Sequence, residues 1–341
     1  MEPFLEEGTG RPRALWRLLA QYWAYEVVAP LLVYLLALSW LLARSGREIG
    51  ASGELDVSSL SGTPALPLLG GIAALIGVIL SVWLAGRFLD RRPFADFGFH
   101  VSGGWWLDLC FGMTLGALLM SAIFLVELGF GWVTVTGAFR SLVPGTPFAL
   151  AMLLPTTLFV CVGVYEELLF RGYQLRNAAE GLNLSVVGPR KAVIVAWVLS
   201  SAFFGYLHAN NPNATLLSTF NVALAGLMLG FGYVLTGELA IPIGLHITWN
   251  LFQGGVFGFP VSGSGPLGAS VLSTDGGGPG LWTGGPFGPE AGLLGPVAMI
   301  LGGLLIALWV RLRNGKVGIH TPIAEGRQPI QTVSAPSEPE G

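Results

Sequence analysis

Long uncharged apolar runs, separated by short polar stretches, dominate the chain. They predict eight membrane spans: 24–43, 66–86, 105–126, 148 to about 180, 192–208, 214–235, 239–257 and 291–310. A helix needs about 20 mostly apolar residues to cross the hydrocarbon core, and these runs are close to that length. Met1 opens a polar arm, 1–21, that carries Arg11, Arg13 and Arg17. Residues 44–64 form a polar loop, and 87–104 form a connector with Arg91, Arg92 and His100. Gly188-Pro189 breaks the chain before the fifth span, and Gly237-Glu238 makes a tight turn after the sixth. Residues 261–289 are rich in Gly, Pro and Ser and nearly uncharged, which predicts a mobile loop. The tail from Arg311 is polar and contains Pro, and is expected to be disordered.

Composition agrees with that pattern. Hydrophobic residues make up 52% and charged residues 11%, against about 25% charged in soluble domains. The fold class is therefore an all-α polytopic membrane helix bundle. The net charge of −3 comes with no basic block, so nucleic acid is not an expected partner. Cys110 and Cys161 both sit in apolar runs, which argues against a disulfide or a cysteine metal site. Eight spans place both termini on one side. With the termini inside, fourteen Lys and Arg are cytoplasmic and three (Arg44, Arg47, Arg140) are outside. Basic residues accumulate on the cytoplasmic side, so a multi-pass cell-membrane protein with both termini cytoplasmic is expected.

One stretch breaks the apolar pattern chemically. Glu166-Glu167-Leu168-Leu169-Phe170-Arg171 follows an uncharged run, 148–164. Ionisable groups in such a place are costly to desolvate and are functional candidates. On a helix Glu167 and Arg171 are i and i+4, Glu first, the better order for an ion pair. Glu166 points about 100° away from Glu167, so it is left free of Arg171 and able to accept a proton. An interfacial charge cluster ending a membrane helix is the competing reading. His208, His246 and Asn250 are the other polar groups in the spans. His246 and Asn250 share a helix face, and Phe204 lies one turn before His208. Each alone would serve as a helix-packing hydrogen bond. Their depths agree, however. Glu166 and His208 are about equally far from the 188–189 break, about 20–30 Å, and His246 is about 13 Å above the Gly237 turn at 1.5 Å per residue. This favours one polar cluster over independent packing contacts.

Glu-Glu-x-x-x-Arg at 166–171, Phe-x-x-x-His at 204–208 and His-x-x-x-Asn at 246–250, in this order on successive helices, resemble the type II CAAX prenyl endopeptidase and bacteriocin-processing (CPBP, Abi) intramembrane protease family. Residues 91–99 resemble the connector such proteins carry, so the resemblance runs over about 87–257. It divides the chain into 1–86 (arm and two helices), 87–257 (protease-like core) and 258–341 (Gly-rich loop, last helix, tail). It implies a glutamate-dependent intramembrane endopeptidase acting on a membrane-associated peptide or protein, by CAAX-type or leader-peptide processing. Glu166 and His208 would activate water, His246 and Asn250 would stabilise the oxyanion, and Glu167, Arg171 and Phe204 would support them. No HExxH motif is present and no cofactor is expected. Zinc on Glu166, His208 and His246 is the alternative. A non-catalytic membrane scaffold or immunity protein, and a transporter relaying protons through the buried Glu, are the rival functions.

Overall fold

The computed structural model describes residues 4–6, 10–48 and 65–326. In chain order the helices are α1 (Ala14–Glu48), α2 (Ala65–Ala85), α3 (Gly103–Gly129), α4 (Phe148–Ala151), α5 (Leu153–Glu167), α6 (Arg176–Leu182), α7 (Pro189–Leu207), α8 (Leu216–Thr236), α9 (Ala240–Asn250), α10 (Gly280–Thr283) and α11 (Leu294–Asn314). The strands are β1 (Val133–Ser141) and β2 (Ala269–Gly276). Among the described residues seven helices are long and apolar enough to cross a membrane: Ala14–Trp40, Leu66–Asp90, Gly103–Gly129, Phe148–Leu182, Pro189–Leu207, Leu216–Thr236 and Leu294–Asn314. This is a mostly helical, multi-pass membrane bundle.

Local signals set the helix ends. Ser102 caps α3 by accepting from Trp105 N. Gly188 is left-handed and Pro189 takes the first position of α7, where its missing N–H costs nothing. Thr215 and Ser218 form a reciprocal capping box on α8. Gly237, at φ +76°, closes α8. Three π-helical segments interrupt the regular ladder among the described residues: Gly86–Asp90 after α2, Leu168–Leu175 directly after Glu167 and Leu251–Val256 directly after Asn250. Such segments are rare and concentrate at functional positions.

Four expectations are corrected. The run 239–257 is not one regular helix but the 11-residue α9 followed by a six-residue π segment, and 240–249 are all buried. It is the centre of the bundle, packed closely on α3. The Gly-rich stretch 261–289 is not structureless. Its strand β2 pairs antiparallel with β1, from Val133 opposite Gly276 to Ser141 opposite Ala269. Several of its glycines occupy left-handed turns, as at Gly263 (φ +84°), where a Cβ would also meet Pro212 O at 1.8 Å. The polar arm becomes helical at Ala14, and Arg17 is fully buried. Its guanidinium bridges Asp90 (2.7 Å) and Glu180 (3.1 Å), while Tyr173 donates to Asp90 (3.0 Å) and Arg92 pairs with Glu180. This network ties α1, the connector and α6 together. Finally, α11 continues through the basic turn to Asn314, and the tail then returns to the bundle. His320 N donates to Val234 O, and Ile323 and Ala324 are buried. Residues beyond 326 lie outside the described residues.

Candidate active site

Glu166 and Glu167 stand side by side at the end of α5 but meet different surroundings. Glu167 is fully buried. Its Oε1 accepts from Arg171 Nη1 at 3.0 Å, the i,i+4 contact, and lies 2.7 Å from His246 Nδ1. The π segment beginning at Leu168 does not break that pair. Arg171 is equally buried. Its second nitrogen donates to Gly226 O (3.0 Å), and its guanidinium carbon lies 4.7 Å from the centre of the Phe204 ring. Glu166 is half-buried, and its nearest partners are the Tyr165 hydroxyl at 3.4 Å and His246 Nε2 at 3.8 Å.

The two imidazoles have defined proton positions. A carboxylate only accepts, so His246 Nδ1 carries the proton it shares with Glu167, and Nε2 is the nitrogen turned towards Glu166. His208 follows the last residue of α7, and its Nδ1 lies 2.7 Å from Phe204 O. A carbonyl also only accepts, so here again Nδ1 is the donor and Nε2 the acceptor. The Phe204 ring sits between the histidines, 4.7 Å from His208 and 6.3 Å edge-on from His246. It therefore touches His208, His246 and Arg171 at once.

Glu166, His208, His246 and Asn250 all line one cavity of about 570 Å³. Tyr22 and Glu26 of α1 and residues 261–267 close its other sides. An apolar cavity of about 340 Å³ between α1 and α7 shares Tyr22, Gln174 and Phe203 with it. No hydrogen bond joins Glu166 to His208 among the described residues, so the two share the cavity and not a contact. Nor do three His, Cys, Asp or Glu side chains converge closely enough to hold a metal ion among the described residues. Glu166, His208 and His246, the set named for zinc, face the same space without forming a ligand shell.

Two features of the site escaped the sequence reading. A small cavity of about 50 Å³ is bounded by His208, His246, Asn250, Ser262 and Glu290. Glu290 is a further carboxylate at the site, beside Glu166, Glu167 and Glu26, and burial pushes it up to about 7, against hydrogen bonds from Ser262 and Gln253 that pull it down. It is one of only two charged residues between Glu238 and Arg311, the other being Asp275, and that isolation was the available signal. The second feature is the α3–α9 contact. A Cβ on Gly112 would meet Ile241 O at 2.3 Å, one on Gly116 Leu245 O at 2.4 Å, and one on Gly244 Leu109 O at 2.3 Å. Gly112-x-x-x-Gly116 is a close-approach motif for membrane helices, and it sets where His246 and Asn250 stand.

Residues 147–252 match the model of a family described as Type II CAAX prenyl endopeptidase Rce1-like. The matched stretch contains all three motifs and stops short of the 91–99 connector and of Glu290. No curated protein and no solved structure matches the chain. Over these residues the chain is similar to that family, which implies an enzyme of the CAAX-protease type acting on proteins or peptides.

Proposed function

We propose that this protein is an intramembrane endopeptidase that cleaves a membrane-associated peptide or protein with Glu166 as its base. The observation that carries the reading is the joint placement of Glu166, His208, His246 and Asn250 on one cavity inside the bundle. Glu167 is already committed to Arg171 and His246, which leaves Glu166 as the carboxylate able to take a proton.

In this reading water sits between Glu166 and His208 Nε2, both of which are acceptors. As its oxygen attacks the scissile carbonyl, its proton passes to Glu166. Negative charge then builds on the carbonyl oxygen. The Asn250 amide donates to it, and His246 does so through Nε2 when it carries a second proton. Glu167, 2.7 Å from Nδ1, holds the ring so that Nε2 is the nitrogen offered to the cavity. The proton held by Glu166 is finally delivered to the leaving amine, which balances the hydrolysis. Positioned acid–base catalysis contributes about 10²–10⁴-fold, so Glu166→Gln, which keeps the volume and removes the base, should reduce cleavage by that order. The assay is proteolysis of membrane-tethered peptides, CAAX-terminated or leader-like, by purified protein in vesicles. Cleavage that survives Glu166→Gln unchanged overturns the assignment. The same assay separates an endopeptidase from a scaffold or a proton-coupled transporter, neither of which cuts peptide.

A further inference from the structure

The turn at 261–264 forms part of the cavity wall, and its backbone is not at rest by itself. Val261 and Ser264 exchange hydrogen bonds of 2.8 and 2.9 Å around Ser262 (φ +47°) and Gly263 (φ +84°). Two positive φ values make a tight mirror-image turn, the kind that favours Asn or Gly in both places. Serine at the first place is strained and persists only where its surroundings hold it.

Four contacts hold it. Glu290 Oε1 accepts from Ser262 N (2.6 Å), Asn211 Nδ2 donates to Ser262 O (3.0 Å), Asn213 Nδ2 donates to Gly263 O (3.4 Å), and Gly263 N donates to Phe287 O (2.8 Å). The other oxygen of Glu290 accepts from Gln253 Nε2, which also donates to Pro260 O (2.6 Å). Gln253 lies one turn beyond Asn250, in the π segment that follows it. Glu290 is thus the one residue among these that reaches both the strained turn and the helix end carrying Asn250. We infer that Glu290 is a positioning residue for this site: it fastens the 261–264 turn to the helix end beyond Asn250 and so holds the cavity wall that a bound peptide meets. The inference rests on the endopeptidase reading and adds to it a residue outside the stretch matched to the family.

Its protonation gives the latch a pH sense. A carboxyl whose folded-state value stands at about 7, above the ordinary 4.5, binds its proton more tightly when latched. The latched form is therefore favoured at low pH and loses stability as pH rises from about 4.5 to about 7. The titratable groups that face Glu290 are His208 from the end of α7 and His246 from α9. Next to it α8 presents only uncharged residues, among them Val222 and Met228.

The test is amide hydrogen exchange of segment 257–268 in the full-length protein, read with melting temperature and with peptide-cleavage kcat and KM, for Glu290→Ala and Glu290→Gln. Glu290→Ala should speed exchange at the turn at least tenfold and raise KM more than it lowers kcat. Glu290→Gln imitates the protonated carboxyl: its amide oxygen can still accept from Ser262 N, and Gln253, whose Oε1 has no partner, is able to turn over to receive its amide at the expense of its own bond to Pro260 O. It should restore most of both losses. After correction for intrinsic exchange, the wild-type turn should open progressively more readily as pH rises from about 4.5 to about 7 and level off above that, while Glu290→Gln should show no such rise. Unchanged exchange in Glu290→Ala overturns the latch, and so does a loss that Glu290→Gln fails to rescue. Faster exchange with unchanged cleavage overturns the positioning role. If the turn opens as expected but wild-type protein cuts no peptide, the endopeptidase reading fails and Glu290 is left as a structural latch.

Discussion

At the scale of single residues, the two adjacent glutamates are the sharpest test. Glu167 is buried between a guanidinium and an imidazole, whereas Glu166 faces the cavity. Glu166→Gln should leave the melting temperature near wild type and remove most cleavage. Glu167→Gln strands Arg171 away from water, and losing one partner of a buried pair costs about 3–5 kcal/mol. It should therefore lower the melting temperature in detergent together with activity. Glu167→Gln combined with Arg171→Met should recover part of that stability, since no charge is then stranded. Recovery should be incomplete, because Arg171 also donates to Gly226 O and covers the Phe204 ring. If Glu166→Gln is the unstable variant and Glu167→Gln is stable but dead, the two roles are reversed. The metal question belongs to the same scale. With no three-ligand group at the site among the described residues, cleavage should survive prolonged chelation. Loss of activity that zinc alone restores would turn Glu166, His208 and His246 from acid–base groups into ligands.

At the scale of elements, the contact between α3 and α9 places half of the candidate site. Gly116 lets α3 approach the backbone of α9 at Leu245, one residue before His246, and a Cβ there would also meet Thr248 Oγ1 at 2.4 Å. Overpacking a tight contact costs about 1–3 kcal/mol. Gly116→Val should lower the melting temperature by that order and shift His246 and Asn250 enough to reduce cleavage, whereas Gly129→Val on the same helix, where nothing lies within 4 Å, should do neither. Equal effects of the two substitutions would show that the close approach is not what positions α9.

At the scale of the whole molecule, the expectation is orientation. Both termini are expected in the cytoplasm, with the β1–β2 ribbon outside. Single cysteines at Ser273, on β2, and at Ser337 should react with impermeant reagents from opposite sides of the membrane. Labelling of both from one side would mean that α11, the helix between them, does not cross, and would overturn the eight-span arrangement. The buried Arg17–Asp90–Glu180 network shows why charge counting needs care in such a chain. Several arginines counted as loop residues are packed into ion pairs, so only part of the positive-inside signal lies in solvated loops.

The sequence by itself determined what depends on neighbours along the chain. Apolar run length sets how many helices can cross a membrane, the Gly and Pro breaks at 188–189 and 237 set their ends, and helical spacing pairs Glu167 with Arg171. It also brought Glu166, His208, His246 and Asn250 together as a candidate set, because helix rise converts distance from a turn into depth. Only the tertiary structure decided what depends on contacts between distant segments. That His246 Nδ1 meets Glu167 rather than open water, that α9 is the buried centre of the bundle, and that Arg17 lies under α6 follow from how helices are rotated and packed, which spacing within one helix does not specify. The ordering of 261–289 is of the same kind. A run of Gly, Pro and Ser carries no period to read, and its shape is imposed by partners far away in sequence, such as Thr134, 141 residues from the Asp275 it faces. Glu290 joins the site for that reason: its partners, Ser262 and Gln253, are brought to it by the turns of a segment whose local composition predicts no structure.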